Sequence, residues 1–143
     1  MNGRAYNIKQ MKKALNIFEA KIIYENDTIP QVFLDISRKI NNSVGKIFYD
    51  ASNRMKLEFA GEAWEKSIDS SKVMLLEEDK EALKSLGKLL GSTDISGQVN
   101  QLKLVNIFLD EQIRDAATSR EKNEKMYKKL GIIVGLAVVI VLA

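Results

Sequence analysis

The sequence predicts an all-α protein, a six-helix bundle with a long C-terminal helix continuing into the membrane. Three observations carry this. A single proline interrupts 143 residues, apolar residues recur at alternating steps of three and four, and the chain ends in fourteen residues, Leu130 to Ala143, that lack any polar side chain. Steps of three and four place side chains on one face of a 3.6-residue helix, so each such stripe marks a helix with one buried side. With 45% hydrophobic and 29% charged residues, the chain has the profile of a folded domain, because disordered segments are poorer in large apolar residues.

The first helix is expected from about Ala5 to Tyr24, with Ile8, Met11, Leu15, Phe18 and Ile22 inward. Glu25 to Thr28 ends it. Asp27 or Thr28 can cap the second helix, and Pro30 falls in its first turn, where a missing backbone N–H costs nothing. Val32, Phe33, Ile36 and Ile40 form its buried face. Asn41-Asn42-Ser43 is a polar break with a good N-cap, and Val44, Ile47, Phe48, Ala51, Met55 and Phe59 mark the third helix.

Gly61 is expected to separate the third helix from a short fourth, Glu62 to about Ser70, with Ala63, Trp64 and Ile68 inward; the lone Trp reads as a core anchor. Glu77, Glu78 and Asp79 open the fifth helix, where the partial positive charge of a helix N-terminus favours carboxylates. They are capping residues, not an acid–base pair. Ala82, Leu83, Leu86, Leu89 and Leu90 follow as its stripe, and Gly91 supplies its stop. The last helix is expected from about Asp94 to the end, with Val99, Leu102, Val105, Leu109, Ile113 and Ala116 in its packed part.

After Ala117 the stripe stops, which divides the chain into a cytoplasmic bundle (1–117), a charged helical stalk (118–129) and a C-terminal transmembrane segment (130–143). In the stalk, Glu121–Lys125 and Glu124–Lys128 are spaced i,i+4 and support a solvated helix. The terminal run spans roughly 21 Å at 1.5 Å per residue, against a hydrocarbon core of roughly 30 Å, so it is a short span that snorkelling lysines and local thinning of the bilayer can complete. Burial in the domain core would leave it no face for water. Lys125, Lys128 and Lys129 beside the run put the bundle on the cytoplasmic side by the positive-inside rule.

Several chemistries are excluded by composition. The chain has no cysteine and no histidine, which removes disulfides, thiolate nucleophiles, imidazole bases and the usual zinc ligands. The net charge is only +3, from 22 Lys and Arg against 19 Asp and Glu, with signs interspersed, which argues against a nucleic-acid partner. Gly87 to Thr93 contains the letters of a phosphate loop in the wrong order, since the lysine must follow the second glycine. The carboxylates lack the spacing of a metal site or an active-site pair, so no cofactor and no catalysis are expected.

Certain stretches together resemble the stage III sporulation protein AB family of endospore-forming bacteria. They are Ile22-Ile23-Tyr24 followed by Pro30, Glu62-Ala63-Trp64, Asp79 leading to Leu86-Gly87-Lys88-Leu89-Leu90-Gly91-Ser92-Thr93-Asp94 and Gln98, and Asn123-Glu124-Lys125-Met126-Tyr127-Lys128-Lys129-Leu130-Gly131. The chain departs from the family pattern at Asp27-Thr28-Ile29 and at Lys21. The family also implies a first transmembrane helix just ahead of Gly3, which this chain is expected to lack.

What the resemblance implies is a component of the channel complex between mother cell and forespore, seated in the mother-cell membrane. Its fold would resemble the cytoplasmic domain of platform protein F of type II secretion machines. The implied partners are the sporulation secretion ATPase of the same operon, other channel subunits and the lipid membrane, with homo-oligomerisation left open. Leu86, Gly87, Leu90, Gly91, Asp94, Gln98, Asn123, Glu124, Met126 and Tyr127, on the family motifs, are the candidates for partner contact; Leu86, Leu90, Met126 and Tyr127 read equally well as packing residues. Bundle, stalk and anchor on one continuous helix would pass a push on the bundle to the membrane as rigid motion. A generic membrane-anchored helical adaptor for another cytoplasmic partner is the alternative that periodicity alone leaves open.

Overall fold

In the computed structural model, which describes residues 3–25, 27–88, 90 and 95–118, the first helix α1 runs Arg4–Tyr24 and buries Ile8, Met11, Leu15, Phe18 and Ile22. Helix α2 (Ile29–Lys39) starts behind Thr28 with Pro30 in its first turn. Helix α3 (Ser43–Arg54) is capped by Asn42, whose side-chain oxygen accepts from the N–H groups of Val44 at 2.9 Å and Gly45 at 3.3 Å. That satisfies two donors that a helix start leaves orphaned. Helices α4 (Ala60–Ser70), α5 (Glu77–Lys84) and α6 (Ile95–Thr118) complete the set, and α5 tightens into a 3₁₀ turn over Ser85–Lys88. No strand occurs among the described residues.

Side-chain pairs show that consecutive helices alternate in direction. Gln10 meets Asn42 while Lys21 meets Asp35; Asp50 meets Ser67; Trp64 reaches Leu83 while Gly61 lies against Gly87. Arg4 meets Gln112 and Asn16 meets Asn106, so α6 returns antiparallel to α1. The core holds an aromatic cluster, with Phe33 5.6 Å from Phe18, 5.0 Å from Phe48 and 5.5 Å from Trp64 between ring centroids, all edge-on. Edge-on pairs of this kind add about 0.5–1.5 kcal/mol each beyond their buried area.

Four expectations from the sequence need correction. Helix α3 ends at Arg54, not near Phe59: the N–H groups of Leu57 and Glu58 both turn back to the Arg54 carbonyl, and this tight turn lays α4 on α3. Met55 still packs against the core, but Phe59 is 82% exposed. Gly61 does not separate helices; it sits in the first turn of α4. The fifth helix does not hold α geometry to Leu90, because the Ser85 hydroxyl donates to the Ala82 carbonyl and the chain tightens there, a common way for a helix to end.

The buried face of α6 is centred on Gln98, Leu102, Val105, Leu109 and Gln112, with Phe108 beside them, while Val99, Ile113 and Ala116 are half-buried. The face is therefore turned slightly from the expected stripe. No helix of the described residues is long and apolar enough to cross a membrane. The expected stalk and transmembrane segment, and with them the continuation of the last helix into the bilayer, lie outside the described residues.

Candidate interaction surfaces

Three of the contact candidates in the described part, Leu86, Leu90 and Gln98, converge inside the bundle. Leu86 and Leu90 are each 5% exposed and Gln98 6%. With Phe18, Phe33 and Trp64 they line a cavity of about 20 Å³. A pocket for a cofactor is more than ten times larger, and apart from Gln98 the walls offer a water no polar partner. The indole N–H of Trp64 is already committed, donating to the Leu83 carbonyl oxygen at 2.6 Å, and Trp64 is a buried anchor, 1% exposed.

Gly87 is buried for a different reason. A Cβ on Gly61 would stand 2.3 Å from the Gly87 carbonyl oxygen, and one on Gly87 would stand 3.0 Å from that of Gly61. Two hydrogens in place of two side chains let α4 and the 3₁₀ turn touch backbone to backbone. Gly45 serves the same end between α3 and α2, where a Cβ would overlap the Ile40 carbonyl oxygen at 1.7 Å. The candidates Gly91, Asp94, Asn123, Glu124, Met126 and Tyr127 lie outside the described residues.

One polar site escaped the reading of the sequence. Asp79 is fully buried and accepts from Arg4 through both oxygens, Nε at 2.8 Å and a terminal guanidinium nitrogen at 3.0 Å. Arg4 also donates to the Gln112 side-chain oxygen. Asp79 does cap α5 as expected, accepting from the Leu76 N–H at 2.9 Å, but the same carboxylate ties the start of α5 to that of α1, and Arg4 carries the link on to the last third of α6. The signal was present. Arg4 stands four residues before Ile8, Asp79 four before Leu83 and Gln112 three after Leu109, so all three are polar residues in register with apolar stripes. No group of three or more residues suited to a metal ion occurs among the described residues.

The surface carries ion pairs of ordinary kind. Hydrogen bonds from Lys21 to Glu25 and Asp35, and from Lys84 to Asp69, raise both lysines above their usual pKa. For Asp50, burial alone pushes the carboxyl up, but hydrogen bonds from Arg54 and Ser67 outweigh it and hold it below its ordinary value.

The two ends of the bundle differ. Because Arg4 meets Gln112 and α6 runs only six residues further, about 9 Å at 1.5 Å per residue, Gly3 and Thr118 leave from the same end. The turns α1–α2 and α3–α4 lie at the opposite end, where Tyr24, Leu57 and Phe59 are 83%, 95% and 82% exposed.

Comparison with known proteins follows the same pattern. The family model for stage III sporulation protein AB matches residues 1–143. The stage III sporulation protein AB of Bacillus subtilis (strain 168) is 30% identical over 143 residues, covering 97% of this chain and 84% of its own. A solved structure of stage III sporulation protein AB (SpoIIIAB) superposes with a TM-score of 0.76 at 26% identity, over 82% of this chain and 95% of that one.

Proposed function

The chain belongs to the stage III sporulation protein AB family, and from that premise we propose that this sporulation protein is a membrane platform of the mother-cell/forespore channel complex, coupling a cytoplasmic secretion ATPase to the membrane channel. The observation that carries this reading is the family match over the whole chain together with the shared helical fold. A helical bundle with Gly3 and Thr118 at one end suits such a part: in this reading the apolar run 130–143 would anchor that end at the bilayer, and the opposite end would face the ATPase. Exposed Tyr24, Leu57 and Phe59 at the free end supply the kind of apolar contact around which interfaces are built. In this reading the protein acts by contact and not by catalysis.

The test is direct binding of the full chain, held in a neutral detergent, to the purified ATPase encoded in the same operon. Charge reversals on each helix in turn locate the face. Saturable binding weakened by one helix and untouched by the others is the expected result. Absence of binding under conditions where both proteins are folded overturns the coupling role and leaves the family assignment intact.

A further inference from the structure

We propose that the groove between α1 and α6 is a docking site for an acidic amphipathic helix of a partner protein. The groove is shallow and open, about 530 Å³; Lys9, Lys12, Lys13, Asn16, Ile17 and Ala20 of α1 form most of it, and Ile113 supplies the α6 side. From Arg4 to Lys13 helix α1 carries four cations and no carboxylate, against the usual preference for acids near a helix N-terminus. Arg4 is consumed by Asp79, and Lys12 pairs with Asp110. Lys9 and Lys13 are exposed and make no ion pair among the described residues.

These two lysines are spaced i,i+4, so their ammonium groups stand one helical turn apart. Two carboxylates spaced by one turn on a facing helix match that separation. Next to them, Ile17 and Ile113 are half-buried and Ala20 is exposed, a shallow apolar seat for a side chain such as Leu one turn further along. Lysines at one end and an apolar seat at the other define the partner: a helix with carboxylates flanking an apolar anchor, laid lengthwise in the groove. The i,i+4 register of the two lysines favours a helix over a membrane, since a facing helix presents carboxylates at that spacing and a lipid surface imposes none.

The inference does not depend on the ATPase being the protein that supplies the helix. The probe is a fluorescein-labelled, lactam-stapled helical peptide bearing a Leu between glutamates one turn apart, titrated into the full chain in neutral detergent. Saturable binding is expected, weakened at least about 10-fold by the double variant Lys9→Glu/Lys13→Glu, since each exposed pair is lost and replaced by repulsion. A peptide with lysines in place of the glutamates should bind that variant and not the natural chain. Unchanged thermal unfolding of the variant shows that the fold survives. Peptide binding indifferent to the reversal overturns the proposal. So does a reversal that instead abolishes adsorption to phosphatidylglycerol vesicles or a concentration-dependent dimer, which would give the groove to lipid or to a second copy.

Discussion

Gly61 and Gly87 meet backbone to backbone, a Cβ on the first falling 2.3 Å from the carbonyl oxygen of the second. In an open helix Gly→Ala gains about 0.5–1 kcal/mol; here the obstacle is main chain, which cannot rotate away. Gly61→Ala should therefore destabilise by about 1–3 kcal/mol, the usual cost of overpacking. Gly87→Ala should cost less, because its own Cβ would meet the Gly61 oxygen only at 3.0 Å. Urea unfolding of the two variants gives the comparison directly.

The buried pair Arg4–Asp79 makes a second prediction. Arg4→Ala leaves a carboxylate with no exposure and only the Leu76 N–H to hold it, which should cost about 3–5 kcal/mol. Replacing both partners, Arg4→Met with Asp79→Leu, should recover part of that loss. A double-mutant cycle in denaturant measures the coupling, and an additive outcome would remove the pair from any structural role.

Leu86 and Leu90 are motif residues turned inward. Truncation to Ala should lower stability by about 2–5 kcal/mol at each, as for other buried leucines beside an existing cavity. Thermal unfolding reads this without any partner present. A variant that kept its stability but lost binding to the ATPase would instead assign the side chain to an interface.

Leu57→Ser and Phe59→Ser should do the reverse. Both side chains are more than 80% exposed, so stability should stay within about 0.5 kcal/mol. Affinity for the ATPase should fall if the free end is its docking face, and an equilibrium titration of each variant against the ATPase checks it.

Much of this architecture was legible in the sequence, because one buried stripe per helix is written in steps of three and four. Ile8 to Ile22, Val32 to Ile40 and the Asn42 cap are where spacing and capping chemistry put them. Details that depend on contact between distant segments were not legible. Gly61 looks like a break until Gly87 is seen against it, twenty-six residues on. The turn at Met55 to Phe59 interrupts an apolar spacing that could have continued a helix, and only the need to fold α4 back onto α3 decides it. The Arg4–Asp79–Gln112 cluster was readable in principle, as polar residues in register with apolar stripes, but which of them would pair follows only from the antiparallel return of α6.

Acid should expose the contribution of Asp50. Its folded carboxyl titrates below the ordinary value of 3.8, so the stabilisation is present above that value and is lost as pH falls through the lower folded value. Denaturation midpoints measured from about pH 5 to pH 2 should decline less steeply for Asp50→Asn than for the natural chain. Equal slopes would show that Arg54 and Ser67 do not hold the carboxylate in solution.

That Gly3 and Thr118 lie at the same end of the bundle makes the domain mechanically lopsided. Tension drawn through both strands of chain would load the Arg4–Gln112 contact first and then open α1 from α6 one contact after another, as a zipper yields. Thrust delivered to the far tip would instead compress antiparallel helices along their axes, with every packed layer sharing the load. The domain is thus a strut in compression and a poor tether under pull.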